Sequence, residues 1–263
     1  MDNKKLIHII TTSWNESINI DRFVLWYRSF IPDCDITILD NESDIKYFNY
    51  LKEISSKYKF KIGVFKSEGK LAEEALVSVR NNYWKKTKED YHYILVVDLD
   101  ELVTIYQEDL IYELNQNWDY CRLEGYEVIA EVLTATSNGH CKPVLFKANN
   151  ISDMNLYAGS HDALPKKIDG SYAKEYRSPK FKLYHFKWAN FNEGLERNNI
   201  LKNKGRSDYS KSNGWAYHYE LGNEEHYNYT IGLLNKVNLT VNNELLWFYK
   251  LMLEFKMKNP PIF

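Results

Sequence analysis

The sequence predicts an α/β fold, a Rossmann-like and mostly parallel central sheet flanked by helices, with a C-terminal helical appendage. Three observations carry that expectation. Short apolar runs alternate with segments of helical period through the first hundred residues, the pattern of consecutive βα units. The run YILVV (93–97) is apolar at every position, as a strand covered on both faces must be. Three of the runs end in polar clusters, TTSWNE (11–16), DNESD (40–44) and DLDE (98–101). Right-handed crossovers place such ends on one edge of a sheet, where open α/β folds bind ligands.

In chain order, KLIHII (5–10) reads as a buried strand that runs into a polar loop. INIDRFVLWYRSF (18–30) reads as a helix, with Phe23, Trp26, Tyr27 and Phe30 at helical spacing. DITIL (35–39) is a second strand, YFNYLKEISSKY (47–58) a helix and KIGVF (61–65) a third strand. KLAEEALVSVRNNYWKK (70–86) is expected to be one helix, with Leu71, Ala75, Val79 and Tyr83 on one stripe. YILVVDLDELV (93–103) is the fourth strand. Residues 108–117 read as helix, 121–131 and 143–147 as strands, and 149–180 as an aperiodic loop over the site that contains GSHDALP. KFKLYHFKW (180–188) reads as a strand, NFNEGLERNNILKNK (190–204) as a helix, and 243–257 as a strongly apolar helix. The expected organisation is one domain over residues 1–220 and a helical extension over 221–263 packed on it.

The chain has 263 residues, enough to bury a core without staples. With 34 basic and 36 acidic residues its net charge is −2, which argues against a general nucleic-acid binder. Cys34, Cys121 and Cys141 form no CxxC pair, so a reducing compartment is the simple inference. The opening MDNKKLIHIITTSW has too short an apolar run for a secretory signal, and no stretch approaches a membrane span. A cytoplasmic location follows as an expectation, at the inner face of the membrane if the substrate is lipid-linked.

Asp98 and Asp100 are two residues apart, a spacing that puts both on one face of a strand. Two neighbouring carboxylates repel, and a divalent cation removes the conflict. Hard oxygen ligands suit Mg²⁺ or Mn²⁺, which commonly combine one or two carboxylates with substrate phosphates. Such an ion neutralises charge on a departing diphosphate. The bland alternative is a solvated acidic turn. In DNESD, Asp40 can accept hydrogen bonds from a base or ribose, while Asp, Asn and Ser there also suit a turn and a helix cap.

The ordered set TTSWNE, DNESD, VRNNYWK and VVDLDE resembles a GT-A glycosyltransferase of the family-2-like kind. KPVLFK, YAGSH, LYHFKWANFNEGLERN and NGWAYHY extend the resemblance to a bacterial and viral subgroup, over roughly residues 5–220. The resemblance implies a nucleotide-sugar site built from Thr11, Asn15, Glu16, Asp40, Asn41, Arg80, Asp98 and Leu99. It implies a Mn²⁺ or Mg²⁺ ion held by Asp98, Asp100 and a late histidine. His185 is the first candidate for that ligand, with His161 and His218 as rivals.

For a base that deprotonates the acceptor hydroxyl the candidates are Glu127, Glu131, His161 and Asp162, with His161 and its neighbour Asp162 preferred. The family's Glu-Asp pair opening a late helix is absent, which leaves inverting and retaining chemistry both open. Lys187 and Arg197 can pair with phosphates. For Arg197 the reading favours the far face of its helix. The expected partners are a nucleotide-sugar donor, a UDP-sugar first, and a glycan or lipid-linked glycan acceptor. The apolar helix near the C-terminus suits docking on the domain, oligomerisation or peripheral membrane contact. The alternative function is a non-catalytic nucleotide-sugar or glycan-binding protein.

Overall fold

The structure, a computed structural model, describes residues 4–129, 133–136, 141–222, 224–225, 228 and 240–258. Glu131 lies outside them. The strands are β1 (Lys5–Ser13), β2 (Asp35–Asp40), β3 (Lys61–Val64), β4 (Tyr91–Val96), β5 (Glu101–Thr104), β6 (Tyr120–Ile129), β7 (Leu133–Thr136), β8 (Lys142–Lys147), β9 (Ile151–Asp153), β10 (Lys166–Lys167), β11 (Glu175–Tyr176), β12 (Lys182–Trp188) and β13 (Thr240–Val241). The helices are α1 (Ile18–Phe30), α2 (Ile45–Tyr58), α3 (Glu73–Asn82), α4 (Gln107–Glu113), α5 (Phe191–Lys204), α6 (Asp208–Ser212) and α7 (Asn243–Lys258).

β3, β2, β1 and β4 pair in parallel in that order, and β8 then β6 continue the sheet antiparallel. This is the mixed α/β, Rossmann-like arrangement that the alternation of runs predicts. The inner parallel strands are built from continuously buried residues, Ile7, Ile9, Ile36, Ile38, Tyr93 and Leu95 among them. α1 covers one face with Phe23, Trp26 and Tyr27, all fully buried, and Trp26 Nε1 donates to the Val103 carbonyl at 2.8 Å. α2 starts where Asp44 caps the Tyr47 amide at 2.8 Å and stops at Lys59 in the left-handed conformation.

Three expectations are corrected. The run YILVVDLDELV is not one strand. β4 stops at Val96, the Glu101 amide closes a turn onto the Asp98 carbonyl at 3.0 Å, and β5 departs to pair with β12. Asp98 and Asp100 therefore sit in a turn rather than on one strand face. The third helix is shorter than the 70–86 run. Leu71 is extended, its amide on the Gly205 carbonyl (2.8 Å) and its carbonyl on the Ser207 amide (3.1 Å), so the helix cannot start before it. After Asn82 the chain tightens into a 3₁₀ turn that seats the buried Trp84 against Phe146, ring centroids 4.9 Å apart. The 149–180 stretch is built rather than loose. It holds the β9–β10 pair and β11, and the Asn81 side chain clamps both the carbonyl (3.0 Å) and the amide (2.8 Å) of Leu156.

β6 joins the two halves of the molecule, antiparallel to β8 and parallel to β12. Gly194 lets α5 lie on β12, because a Cβ there would stand 2.6 Å from the Lys187 carbonyl oxygen. α7 docks through Phe248, whose ring is 4.7 Å from that of Trp26, and through Glu244, which accepts from the Tyr184 hydroxyl at 2.9 Å. Among the described residues no helix is long and apolar enough to cross a membrane.

Candidate active site

The carboxyl ends of β1, β2 and β4 open into a cleft of about 920 Å³. Its floor is the acidic turn, Asp98 to Glu101. Its walls come from the loop after β1, the cleft-facing side of α3, the end of β12, α5, and residues 214–221.

Each carboxylate of the turn has its own basic partners. Asp98 pairs with Arg80 of α3 and, at 3.1 Å, with Lys142 of β8. Burial pushes the Asp98 carboxyl up, but Arg80 and then Lys142 hold it down at about 2. Lys142 also meets the buried Glu101 at 2.5 Å. Burial works against the ammonium charge, and Glu101 and Asp98 restore it, so Lys142 is held above its ordinary range. Asp100 pairs with Arg197 of α5 and faces His185 of β12, Nε2 to Oδ2 3.5 Å. Burial again opposes its ionisation, and Arg197 and His185 outweigh it. The other ring nitrogen of His185 bonds Glu127 of β6 at 3.0 Å. Burial would discharge His185, but Glu127 and Asp100 raise it to about 10.

Arg197 also reaches Glu16 at 3.0 Å, tying α5 to the loop after β1. This corrects the far-face expectation, for Arg197 lies in the cleft and bridges two acids. Lys187 lies over the rings of Trp188 and Tyr219 at 5.4 and 5.0 Å, and burial, with Arg197 nearby, lowers it to about 8.

The remaining expected residues divide by use. Asn15, Glu16, Asn41, Arg80, Asp98 and Leu99 line the cleft. Asn15 also braces it, its amide donating to Ser43 Oγ and its side chain accepting from the Asp44 amide, both at 2.9 Å. Thr11 is buried and its hydroxyl has no partner, while Thr12 and Ser13 face the cleft instead. Asp40 accepts from the Ser43 amide through Oδ2, and its buried Oδ1 has no hydrogen-bond partner. His161 and His218 line the cleft. Gly159 must remain glycine beside His161, because its φ is +69° and a Cβ would stand 2.8 Å from that ring. Asp162 is 71% exposed, pairs with Arg122 and is not among the lining residues.

Sequence reasoning passed over Lys142, Glu73, Trp14 and Lys204. Lys142 opens an apolar strand, a position where a charge is costly without a partner, and that was its available signal. Lys204 lies 4.1 Å over the Trp14 ring and is lowered by burial to about 8. Glu73 lines the cleft with a buried oxygen, and burial raises its carboxyl although Arg80 pulls it back.

Among the described residues no three acidic, histidine or cysteine side chains converge as a metal cage. Asp100 and His185 nevertheless face one another with the second histidine nitrogen secured by a carboxylate, the outer-shell arrangement that orients a metal-binding imidazole. This donor set fits a Mn²⁺ or Mg²⁺ ion that completes its shell with ligand phosphates.

No protein-family model and no curated protein sequence matches the chain. Solved structures overlay in part. S. aureus TarS aligns with a TM-score of 0.46 and 10% identity, over 76% of this chain and 39% of that one. S. aureus TarS 1–349 in complex with UDP-GlcNAc gives 0.37 and 11%, over 76% and 66%. Mannosyltransferase PcManGT from Pyrobaculum calidifontis, in complex with GDP-Man and Mn²⁺, gives 0.45 and 9%, over 76% and 63%. The chain thus spans about two fifths of the length of TarS. Overlays this partial carry no functional weight. The fold and cleft define a Rossmann-like α/β protein with a charge-paired cleft at the carboxyl edge of its parallel strands.

Proposed function

We propose that the chain is a glycosyltransferase of the family-2-like GT-A kind, metal-dependent. It would move a sugar from a nucleotide-diphosphate sugar, a UDP-sugar first, to a hydroxyl of a glycan or lipid-linked glycan. The observation that carries this reading is the Asp100–His185 pair, backed by Glu127, at the carboxyl end of β4. A Mn²⁺ or Mg²⁺ ion bound by Asp100 and His185 supplies positive charge beside a leaving diphosphate.

The protein's own groups do the rest. Glu127 fixes the His185 ring so that Nε2 faces Asp100. Lys187 has no carboxylate within salt-bridge distance among the described residues, and its ammonium suits a phosphate oxygen. Arg80 and Lys142 keep Asp98 ionised as an acceptor for ribose or sugar hydroxyls. Asn41, which lines the cleft next to the buried Asp40, suits the base. His161, held at the cleft by the Gly159 turn, is the group proposed to take the acceptor's proton, while Asp162, exposed and paired with Arg122 outside the cleft, is not part of that role. In this reading residues 1–220 form the transferase domain and 221–263 the extension, working in the cytoplasm or against the inner face of a membrane.

One observation favours the non-catalytic reading. Arg197 already neutralises Asp100, so nucleotide-sugar binding without a metal would leave that pair in place. A thermal-shift screen of UDP, GDP, CDP and their sugars, with Mn²⁺ and with Mg²⁺, separates the two. A ligand selective for the folded state raises the melting temperature. A UDP species with Mn²⁺ is expected to give the largest shift, and Asp100→Ala to abolish it. Product analysis with a donor mixture then tests transfer. Metal-independent binding with no product would establish the binding protein, and no shift with any nucleotide would overturn both readings.

A further inference from the structure

We propose that the Glu73 carboxylate recognises a hydroxyl of the transferred sugar, which makes it a specificity-determining residue of the cleft. The inference rests on the glycosyltransferase reading and deepens it. Glu73 lines the cleft, and its Oε2 is buried without a hydrogen-bond partner. Leaving a buried acceptor unsatisfied is costly, so the site is poised for a donor that arrives with the ligand. Burial raises the Glu73 carboxyl, while Arg80 and the Gly159 amide favour its ionised form, which accepts hydrogen bonds and repels phosphate. Its complement is a neutral group rich in O–H, and the sugar is that part of a nucleotide sugar.

Position supports the same assignment. Glu73 and Arg80 are seven residues apart on α3, hence on one helix face and about 10 Å apart along the axis. Arg80 holds Asp98, so Glu73 stands on the wall beside the acidic turn. The Gly159 amide, on the cleft-lining turn, donates to this carboxylate, which leaves Oε2 as the oxygen open to a ligand donor. Ser210 Oγ accepts from the Glu73 amide at 3.0 Å and donates to Glu74 at 2.8 Å, so Glu74 serves the contact with α6 and Glu73 does not.

Calorimetric titration of the full chain tests this with UDP and with UDP-glucose, UDP-galactose and UDP-N-acetylglucosamine, each in Mn²⁺. The quantity read is the affinity of the best sugar nucleotide relative to UDP. In Glu73→Gln and Glu73→Ala, UDP affinity should stay within about twofold while that ratio falls about tenfold or more, the range for a hydrogen bond to a charged group. Deoxy analogues locate the hydroxyl. One of them should lose the same factor against the wild type and nothing further against Glu73→Ala.

An unchanged ratio overturns the proposal. So does an equal loss for UDP and its sugars, which would mark a structural role. Melting temperatures identify a misfolded variant, and Glu73→Gln, which keeps the shape, carries the test if Glu73→Ala fails to fold. If the wild type binds UDP and only the ratio is insensitive, this proposal alone falls. If the wild type binds no nucleotide, the glycosyltransferase reading falls and takes this one with it.

Discussion

Asp98 and Asp100 are neighbours in the chain and belong to different structures. Asp98 is 27% exposed, yet its partners are buried deeply, Arg80 at 7% and Lys142 at 3%. Lys142 is shared with Glu101, so the Asp98 side is a closed charge network between α3, β8 and the turn. Asp100 is only 4% exposed, but its partner Arg197 is 24% exposed and sits on a helix that walls the cleft. One carboxylate is braced by groups with nowhere else to go. The other is held by the buried His185 and by Arg197, and Arg197 is the partner that a ligand can replace. Paired charges that cannot be solvated serve the architecture, and paired charges near solvent are available for exchange.

The largest expected effect tests the exchangeable side. Asp100→Ala should lower transfer at least about 1,000-fold, equivalent to about 4 kcal/mol, and should also lower the melting temperature, because it strips the buried charge partner from Arg197 and His185. A large loss of stability with residual activity would reverse the roles assigned to the two aspartates. Lys142→Met tests the braced side. It leaves Glu101 buried and uncompensated, so chemical denaturation should show a loss of about 3–5 kcal/mol. A loss below about 1 kcal/mol would mean that the network is not closed.

Two histidines extend the contrast to pH. His8 of β1 bonds Thr37 at 2.8 Å and Thr87 at 3.0 Å, and burial lowers it from 6.5 to about 4. The unfolded chain therefore binds a proton that the folded chain refuses. Stability should fall as pH drops from 6.5 toward 4, by on the order of 3 kcal/mol. His185 in the metal-free protein runs the other way, raised from 6.5 to about 10. Its contribution is complete below 6.5 and is lost as pH climbs toward 10. Urea midpoints across both windows check the signs, and His8→Gln should flatten only the acid limb.

The smallest effect concerns α5, which carries Arg197. Asn190 caps it, accepting from the Asn192 and Glu193 amides at 3.1 and 3.3 Å. Asn190→Ala should cost about 1 kcal/mol. A nucleotide affinity that weakens more than this stability loss explains would show that the helix end also sets the cleft.

The parallel strands and their helices were legible because each carries a local signal. α1 shows its buried stripe in Phe23, Trp26 and Tyr27, and the run YILVV (93–97), which supplies most of β4, is apolar at every position. His185 was legible through the resemblance, which implies a late histidine on the strand LYHFK. What escaped depends on distant partners. Within Tyr93 to Val103 the three carboxylates mark a polar point, but that β5 leaves the β4 line is set by its pairing with β12, which no local signal carries. Lys142, Glu73 and Arg197 read as ordinary surface charges until the fold brings Glu101, the cleft and Asp100 to them.

The contact of Leu71 with Gly205 and Ser207 has a consequence for the walls of the cleft. It is a clasp of two backbone hydrogen bonds at the rim, one side in front of α3 and the other beyond α5. Ser210 adds two more bonds across the same rim, from the Glu73 amide and to the Glu74 carboxylate, so the start of α3 and the segment after α5 are fastened into one continuous wall.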